Sequence, residues 1–149
     1  MSQEPRIVSF TIAEPFDTSL RMLRRALERE GLRVPCEVNV SGRIRTELGV
    51  GLRESIVLYV DAPILLLEAT LLTAEGSLFI PEPVALSSNG PTCTAVTRSV
   101  KPLFQESTLP RSLREPVLAL HDRIVSAIQS VGLREPVMKS SGPRDAMRV

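Results

Sequence analysis

The sequence predicts one α+β domain with a mainly antiparallel sheet of about five strands, two helices on one face of that sheet and a C-terminal helix. Its 149 residues suit one ordinary domain. Apolar and polar residues alternate with a period of two in residues 32–40, which is typical of a strand with one buried face and so of an antiparallel sheet. Other segments repeat apolar residues every three or four positions, the spacing of helices that pack on such a sheet.

A strand and a helix open the domain. Arg6–Ile12 alternates like a half-buried strand. The following helix is predicted to be capped by Asp17 or Thr18 and to end at Gly31. Its apolar face carries Phe16, Leu20, Leu23 and Leu27.

The second strand, Leu32–Val40, is expected to bury one face and expose the other. The face expected to be buried carries Val34, Cys36, Val38 and Val40, and the polar face carries Arg33, Glu37 and Asn39. Cys36 and Cys93 lie in apolar alternating segments, so both are predicted to be reduced, buried thiols. Residues 41–52 are predicted to form a short helical turn and a glycine-bearing loop.

A buried strand and a strongly apolar helix follow. The strand is Ser55–Val60, and the helix is predicted to run to about Ala74, with Asp61 as its cap and Pro63 in its first turn. Apolar residues surround almost its whole circumference, so most of its sides are expected to be buried. The helix is therefore predicted to lie either between the sheet and the C-terminal helix or against a second subunit.

A hairpin and a long helix complete the domain. Two strands are predicted on either side of Asn89-Gly90, a strong turn dipeptide. The helix 110–131 repeats apolar residues at heptad-like spacing, so it is predicted to pack on the sheet, with a helix-mediated dimer as the alternative. Residues 1–132 form the predicted domain, and residues 133–149 are predicted to be a flexible C-terminal tail.

Composition excludes several classes of function. A formal net charge of +1 provides no global field for nucleic acid or anionic lipid. No apolar segment reaches the ~20 residues that span a bilayer, and no signal peptide opens the chain. The protein is therefore predicted to be cytoplasmic, with no nucleic-acid or membrane partner. One His and two Cys cannot supply a His-rich metal site or a zinc ribbon, and no phosphate-loop motif is present, so no metal and no cofactor are predicted.

One polar cluster is the candidate ligand site. It is expected to combine the polar face of the second strand, the turn after it and the head of the hairpin, through Glu37, Asn39, Arg43, Arg45 and Glu82. An acid beside a cation can bind a small polar ligand or transfer a proton. The alternative is that these groups form a solvated or inter-subunit face of the sheet. His121 is interpreted as a surface or boundary residue, and no catalytic residue is assigned.

The order of the elements and three strings, EVNV, YVDAP and LFIPEPVALSSNGPTCTAV, resemble the domain-of-unknown-function 302 family of small prokaryotic proteins. The resemblance spans about Phe10–Pro102, and it rests on Gly31, Glu37, Asn39, Pro63 and Pro81. It implies a compact α+β fold and a homodimer, and it implies no established reaction. Where many members have Cys directly after the hairpin proline, this chain has Glu82, which argues against a thiol-based function.

Two function hypotheses follow. The first is a non-catalytic binding or assembly module, a homodimer that takes a small polar ligand or a protein partner. The second is a carboxylate-based enzyme of unknown reaction, with Glu37 or Glu82 as acid or base. The aromatic content of 3% offers little for stacking a planar cofactor, and this favours the binding module.

Overall fold

The computed structural model describes residues 6–105 and 110–136. Within these residues six strands form one antiparallel sheet in the order β2-β3-β4-β5-β1-β6. The strands are β1 (Ile7–Ile12), β2 (Arg33–Asn39), β3 (Ser55–Asp61), β4 (Glu82–Ser88), β5 (Cys93–Arg98) and β6 (Leu133–Arg134). The helices are α1 (Phe16–Arg29), α2 (Val40–Leu48), α3 (Pro63–Leu72), α4 (Lys101–Gln105) and α5 (Arg114–Gln129). The α+β prediction is confirmed, with six strands where about five were expected.

The hydrophobic core lies between one face of the sheet and the helices. Across the sheet, Val8, Thr97, Val84 and Leu58 are paired in one row, and all four are buried. Residues directly opposite in antiparallel strands share a face, so this row marks the face that the helices cover. The buried hydrophobic residues that α1 and α5 contribute to this core are Leu23, Ala26, Leu27, Val117, Leu120, Ile124, Ala127 and Ile128.

Strand β2 reverses the predicted assignment of its faces. Glu37 pairs with the buried Leu58, so this acid lies on the helix side of the sheet. Val38 pairs with Val57 on the opposite face, and Cys36 is exposed. The prediction that Cys36, Val38 and Val40 lie on the buried face, with Cys36 as a buried thiol, was wrong, whereas Val34 packs against the core as predicted. The reason is that β2 is an edge strand whose register shifts between Arg33 and Cys36, and a one-residue shift moves every side chain to the other face.

Two predicted helix caps are also absent. Helix α1 begins at Phe16, two residues earlier than a cap at Asp17 allows, and Pro15 stands in the cap position without a side-chain hydrogen bond. Asp61 is the last residue of β3, and Ala62 caps α3. The Asp61 side chain is instead buried, and burial raises the pKa of its carboxyl group.

Helix α3 buries less of its surface than its composition suggests. Only Leu65 and Ala69 of this helix are buried. The apolar residues on its other sides are 49–76% exposed, namely Ile64, Leu67, Leu71 and Leu72. The expectation that the fold of one chain covers most sides of α3 was therefore wrong, while packing against a second subunit stays a prediction.

The end of the described chain joins the sheet. Leu133–Arg134 forms β6, which pairs with β1, and the Glu135 backbone N–H donates to the Ser9 carbonyl at 2.8 Å. The first residues of the predicted tail are thus part of the sheet, and residues 137–149 lie outside the described residues. The β4–β5 hairpin is confirmed, with the Asn89 N–H donating to the Thr92 carbonyl at 2.8 Å.

Candidate functional site

Glu82 is the central residue of the candidate site. It begins β4 and continues the inward face that carries Val84 and Leu86, so its side chain is 1% exposed. The Thr97 hydroxyl of the neighbouring strand donates to Glu82 Oε2 at 2.9 Å. Both carboxylate oxygens also lie 3.2 Å from Nδ1 of His121 on α5. A buried carboxylate needs such partners, because an unpaired one would lose its hydration without compensation.

His121 is buried, so its interpretation as a surface or boundary residue was wrong. It lies next to Leu120 and three residues before Ile124, both fully buried, on the side of α5 that faces the sheet. This position brings the imidazole to the one acid on the inward face of β4. The chain has a single histidine, and the fold directs it into the core against that carboxylate.

The hydrogen bonds favour one protonation pattern on the ring. A carboxylate only accepts hydrogen bonds, so it selects the imidazole form in which Nδ1 carries the proton. Nε2 is then the ring nitrogen left for a ligand. The Thr97 hydroxyl lies 2.9 Å from both Glu82 Oε2 and the Pro83 carbonyl, which anchors the carboxylate to the start of β4. Glu82 therefore positions the ring from behind, as an outer carboxylate orients a functional histidine.

A pocket of about 270 Å³ opens in front of this pair. Its wall combines His121 with three branched apolar side chains and with polar groups from several elements, and the lining residues are Val8, Ser99, Val100, Lys101, His121, Asp122, Val125 and Arg134. Val8 belongs to β1, Lys101 begins α4, His121 lies on α5 and Arg134 ends β6, so the pocket lies where four separate parts of the chain meet. Among the described residues neither Lys101 nor Arg134 forms an ion pair.

The five residues selected from the sequence do not share this pocket. Glu37 forms an ion pair with Arg24 of α1 at 2.5 Å, with both side chains partly exposed. Because Glu37 and Glu82 flank β3 on opposite sides, they are at least two strand spacings apart, about 10 Å.

The other predicted positions lie around α2. Asn39 caps this helix, since its Oδ1 accepts from the Gly42 N–H at 3.0 Å and from the Ser41 hydroxyl at 3.2 Å. Arg43 and Arg45 are exposed on the same helix. Their role as ligand contacts stays a prediction, and Glu82 is the member of the set that the fold brings to a histidine.

Sequence reasoning missed His121 and the pocket around it. One signal was available: Glu82 is in phase with Val84 and Leu86, and an acid on a buried face requires a partner from elsewhere in the chain. His121, on the apolar stripe of α5, is the matching residue. Lys101 and Arg134 carry no such signal, because only the fold brings their elements together.

The described residues contain neither a metal-binding cluster nor a membrane-spanning helix. No group of three or more His, Cys, Asp or Glu side chains in them could hold a metal ion. In the same residues no helix has the length and apolar character needed to cross a membrane.

This protein is a small antiparallel α+β domain in which a pocket-lining histidine is hydrogen-bonded to a buried acid. The chain belongs to the family described as domain of unknown function DUF302, whose model matches residues 8–131. Its fold is similar to the crystal structure of an uncharacterised conserved DUF302 protein from Bacillus stearothermophilus, with a TM-score of 0.76 and 14% identity over 86% of this chain and 99% of that chain. No curated protein matches the chain. The family therefore confirms the fold and assigns no activity.

Proposed function

We propose that this protein is a non-catalytic binding module, a homodimer that takes a small polar ligand in the pocket beside His121. One observation carries the proposal: His121, hydrogen-bonded to the buried Glu82, forms part of the wall of an open pocket. Pockets that bind small molecules combine apolar walls with a few placed polar groups, and this pocket has both.

Binding can be tested by two-dimensional amide NMR with a library of small polar compounds. We expect shifts that cluster on the pocket, around Ser99, Lys101 and Asp122. A Val125→Phe variant fills the pocket and should abolish those shifts. Val50→Phe, at a half-exposed loop residue that does not line the pocket, is the matched control and should leave them intact. Shifts that survive in Val125→Phe would contradict this site.

The homodimer is supported by the exposed apolar side of α3. Ile64, Leu67 and Leu71 recur at helical spacing on this side, and no Lys or Arg lies between Asp61 and Thr97. A patch of this kind marks an interaction site, and a symmetric interface uses the same patch on both copies. Light scattering should give a particle of twice 16.3 kDa.

A pair of variants tests which surface forms the dimer. Leu71→Glu should produce monomers, because it places a charge on an apolar interface. Leu48→Glu, at an equally exposed leucine of α2, is the control and should stay dimeric. A wild-type monomer at tens of micromolar would overturn the homodimer.

The second candidate is a carboxylate-based enzyme in which Glu82 acts through His121. The observation in its favour is the carboxylate behind Nδ1, which can stabilise a histidine acting as general acid or base. Glu37, the other acid considered for this role, is engaged with Arg24. If every bound compound is recovered unchanged, the binding module is supported. If a compound is converted to a product by the wild-type protein but not by His121→Gln, the enzyme is supported.

A further inference from the structure

We propose that the pocket binds a small monocarboxylate with a short apolar tail, and that His121 takes up one proton when this anion binds. This inference rests on the proposed binding function and names its ligand class. It uses the charges around the pocket, the buried position of Glu82 and the apolar part of the lining.

The charges at the rim of the pocket include two cations. Lys101 comes from α4 and Arg134 from β6, and both side chains are exposed. Asp122 of α5 is the one acid in the lining. With the ring of His121 neutral, the lining carries one more positive than negative charge, which favours an anion over a cation.

The Glu82–His121 pair decides when the anion can reach the base of the pocket. When the His121 ring is neutral, Nε2 presents a lone pair to the ligand, and the negative charge of Glu82 lies behind the ring without a compensating positive charge. The carboxylate of a ligand is therefore repelled. With a protonated ring, Nε2–H becomes a donor and the buried pair is electrically neutral. A carboxylate bound at the base of the pocket therefore favours the ring that carries a proton on Nε2.

The remaining lining sets the size and polarity of the ligand. Val8, Val100 and Val125 form the apolar part of the wall. A volume of about 270 Å³ suits an organic acid of a few carbon atoms better than a nucleotide or a sugar phosphate. The expected ligand therefore places its carboxylate at His121 and Lys101 and its short chain against the valines.

Butyrate is a suitable probe, with butyramide as its uncharged counterpart of the same shape. Because the chain has one histidine, the imidazole C–H signals in the NMR spectrum belong to His121 alone. We expect butyrate to shift these signals at pH 6.0, and we expect its dissociation constant to rise between pH 6.0 and pH 8.5, with a limiting slope of about tenfold per pH unit for one proton taken up per ligand. Calorimetry in two buffers of different ionisation enthalpy should show uptake of one proton.

Three variants separate the parts of the inference. His121→Gln should remove the pH dependence, and Lys101→Gln should weaken butyrate binding several-fold at every pH while the slope persists. Arg25→Gln, at an exposed arginine of α1 that does not line the pocket, is the control and should change neither.

Each contrary result has a distinct meaning. Equal affinity for butyramide and butyrate would overturn the requirement for an anionic ligand. Equal butyrate affinity at pH 6.0 and 8.5 would overturn the proton uptake. Either result leaves the pocket as a binding site. Binding of other library compounds in the pocket, but of no short carboxylate, would overturn the ligand class alone. If no compound binds in the pocket, both the inference and the proposed function fail.

Discussion

Replacing Glu82 with Gln tests the buried pair with a change that keeps the size of the side chain. The carboxylate accepts from the Thr97 hydroxyl and lies against His121 Nδ1. A glutamine oxygen in the place of Oε2 can accept from both groups, but it carries no charge, so both hydrogen bonds lose their charge assistance. Charge-assisted hydrogen bonds are about twice as strong as neutral ones. Such bonds contribute about 1.5–3 kcal/mol each, and we therefore expect Glu82→Gln to lower the free energy of unfolding by about 2 kcal/mol.

The same substitution at Glu37 is a control within the same protein. Glu37 meets Arg24 at 2.5 Å, but both side chains are partly exposed, so solvent screens the ion pair. Exposed pairs contribute about 0–1 kcal/mol, and Glu37→Gln should therefore cost less than half as much as Glu82→Gln.

Urea unfolding followed by far-UV circular dichroism suits this comparison, because the chain has no tryptophan to report by fluorescence. The slope of the free energy against urea should be equal for wild type and both variants, so that the midpoints report stability. A cycle with His121→Gln and the double variant should give a coupling energy of about 1–2 kcal/mol between Glu82 and His121. Equal costs for Glu82→Gln and Glu37→Gln, or a coupling near zero, would refute the reasoning.

Three further predictions concern other sites. Burial raises the folded-state pKa of Asp61 above its ordinary 3.8, so the charged carboxylate destabilises the fold. At pH 7, Asp61→Asn should therefore unfold at a higher urea concentration than wild type. This gain in stability should vanish as the pH falls through the raised pKa to below 3.8. A thiol reagent should modify the exposed Cys36 of the native protein quickly and the buried Cys93 only on unfolding, since burial also raises the Cys93 pKa. Equally fast modification of both thiols would contradict the burial of Cys93. A methyl group at Gly76 would lie 2.1 Å from the Ala69 carbonyl oxygen, so Gly76→Ala should lower the urea midpoint by the equivalent of about 1–3 kcal/mol, and an unchanged midpoint would contradict this packing.

The sequence alone determined the main elements and the fold class. The alternation in Arg6–Ile12 and in the hairpin strands, and the helical repeat between Leu113 and Val131, depend on neighbours a few residues apart. Such spacing is local, so it predicts which segments become strands and helices without knowledge of what they contact.

The tertiary structure alone decided which face of β2 is buried, how much of α3 is covered and which side chains form the pocket. The periodicity of β2 is the same in either register, and a bulge at an edge strand chooses between them. Likewise, Glu82 and His121 are 39 positions apart, and their contact exists only because α5 packs across the inward face of β4. Local spacing identifies a residue that needs a buried partner, but the order of the strands and the packing of the helices determine which residue that partner is.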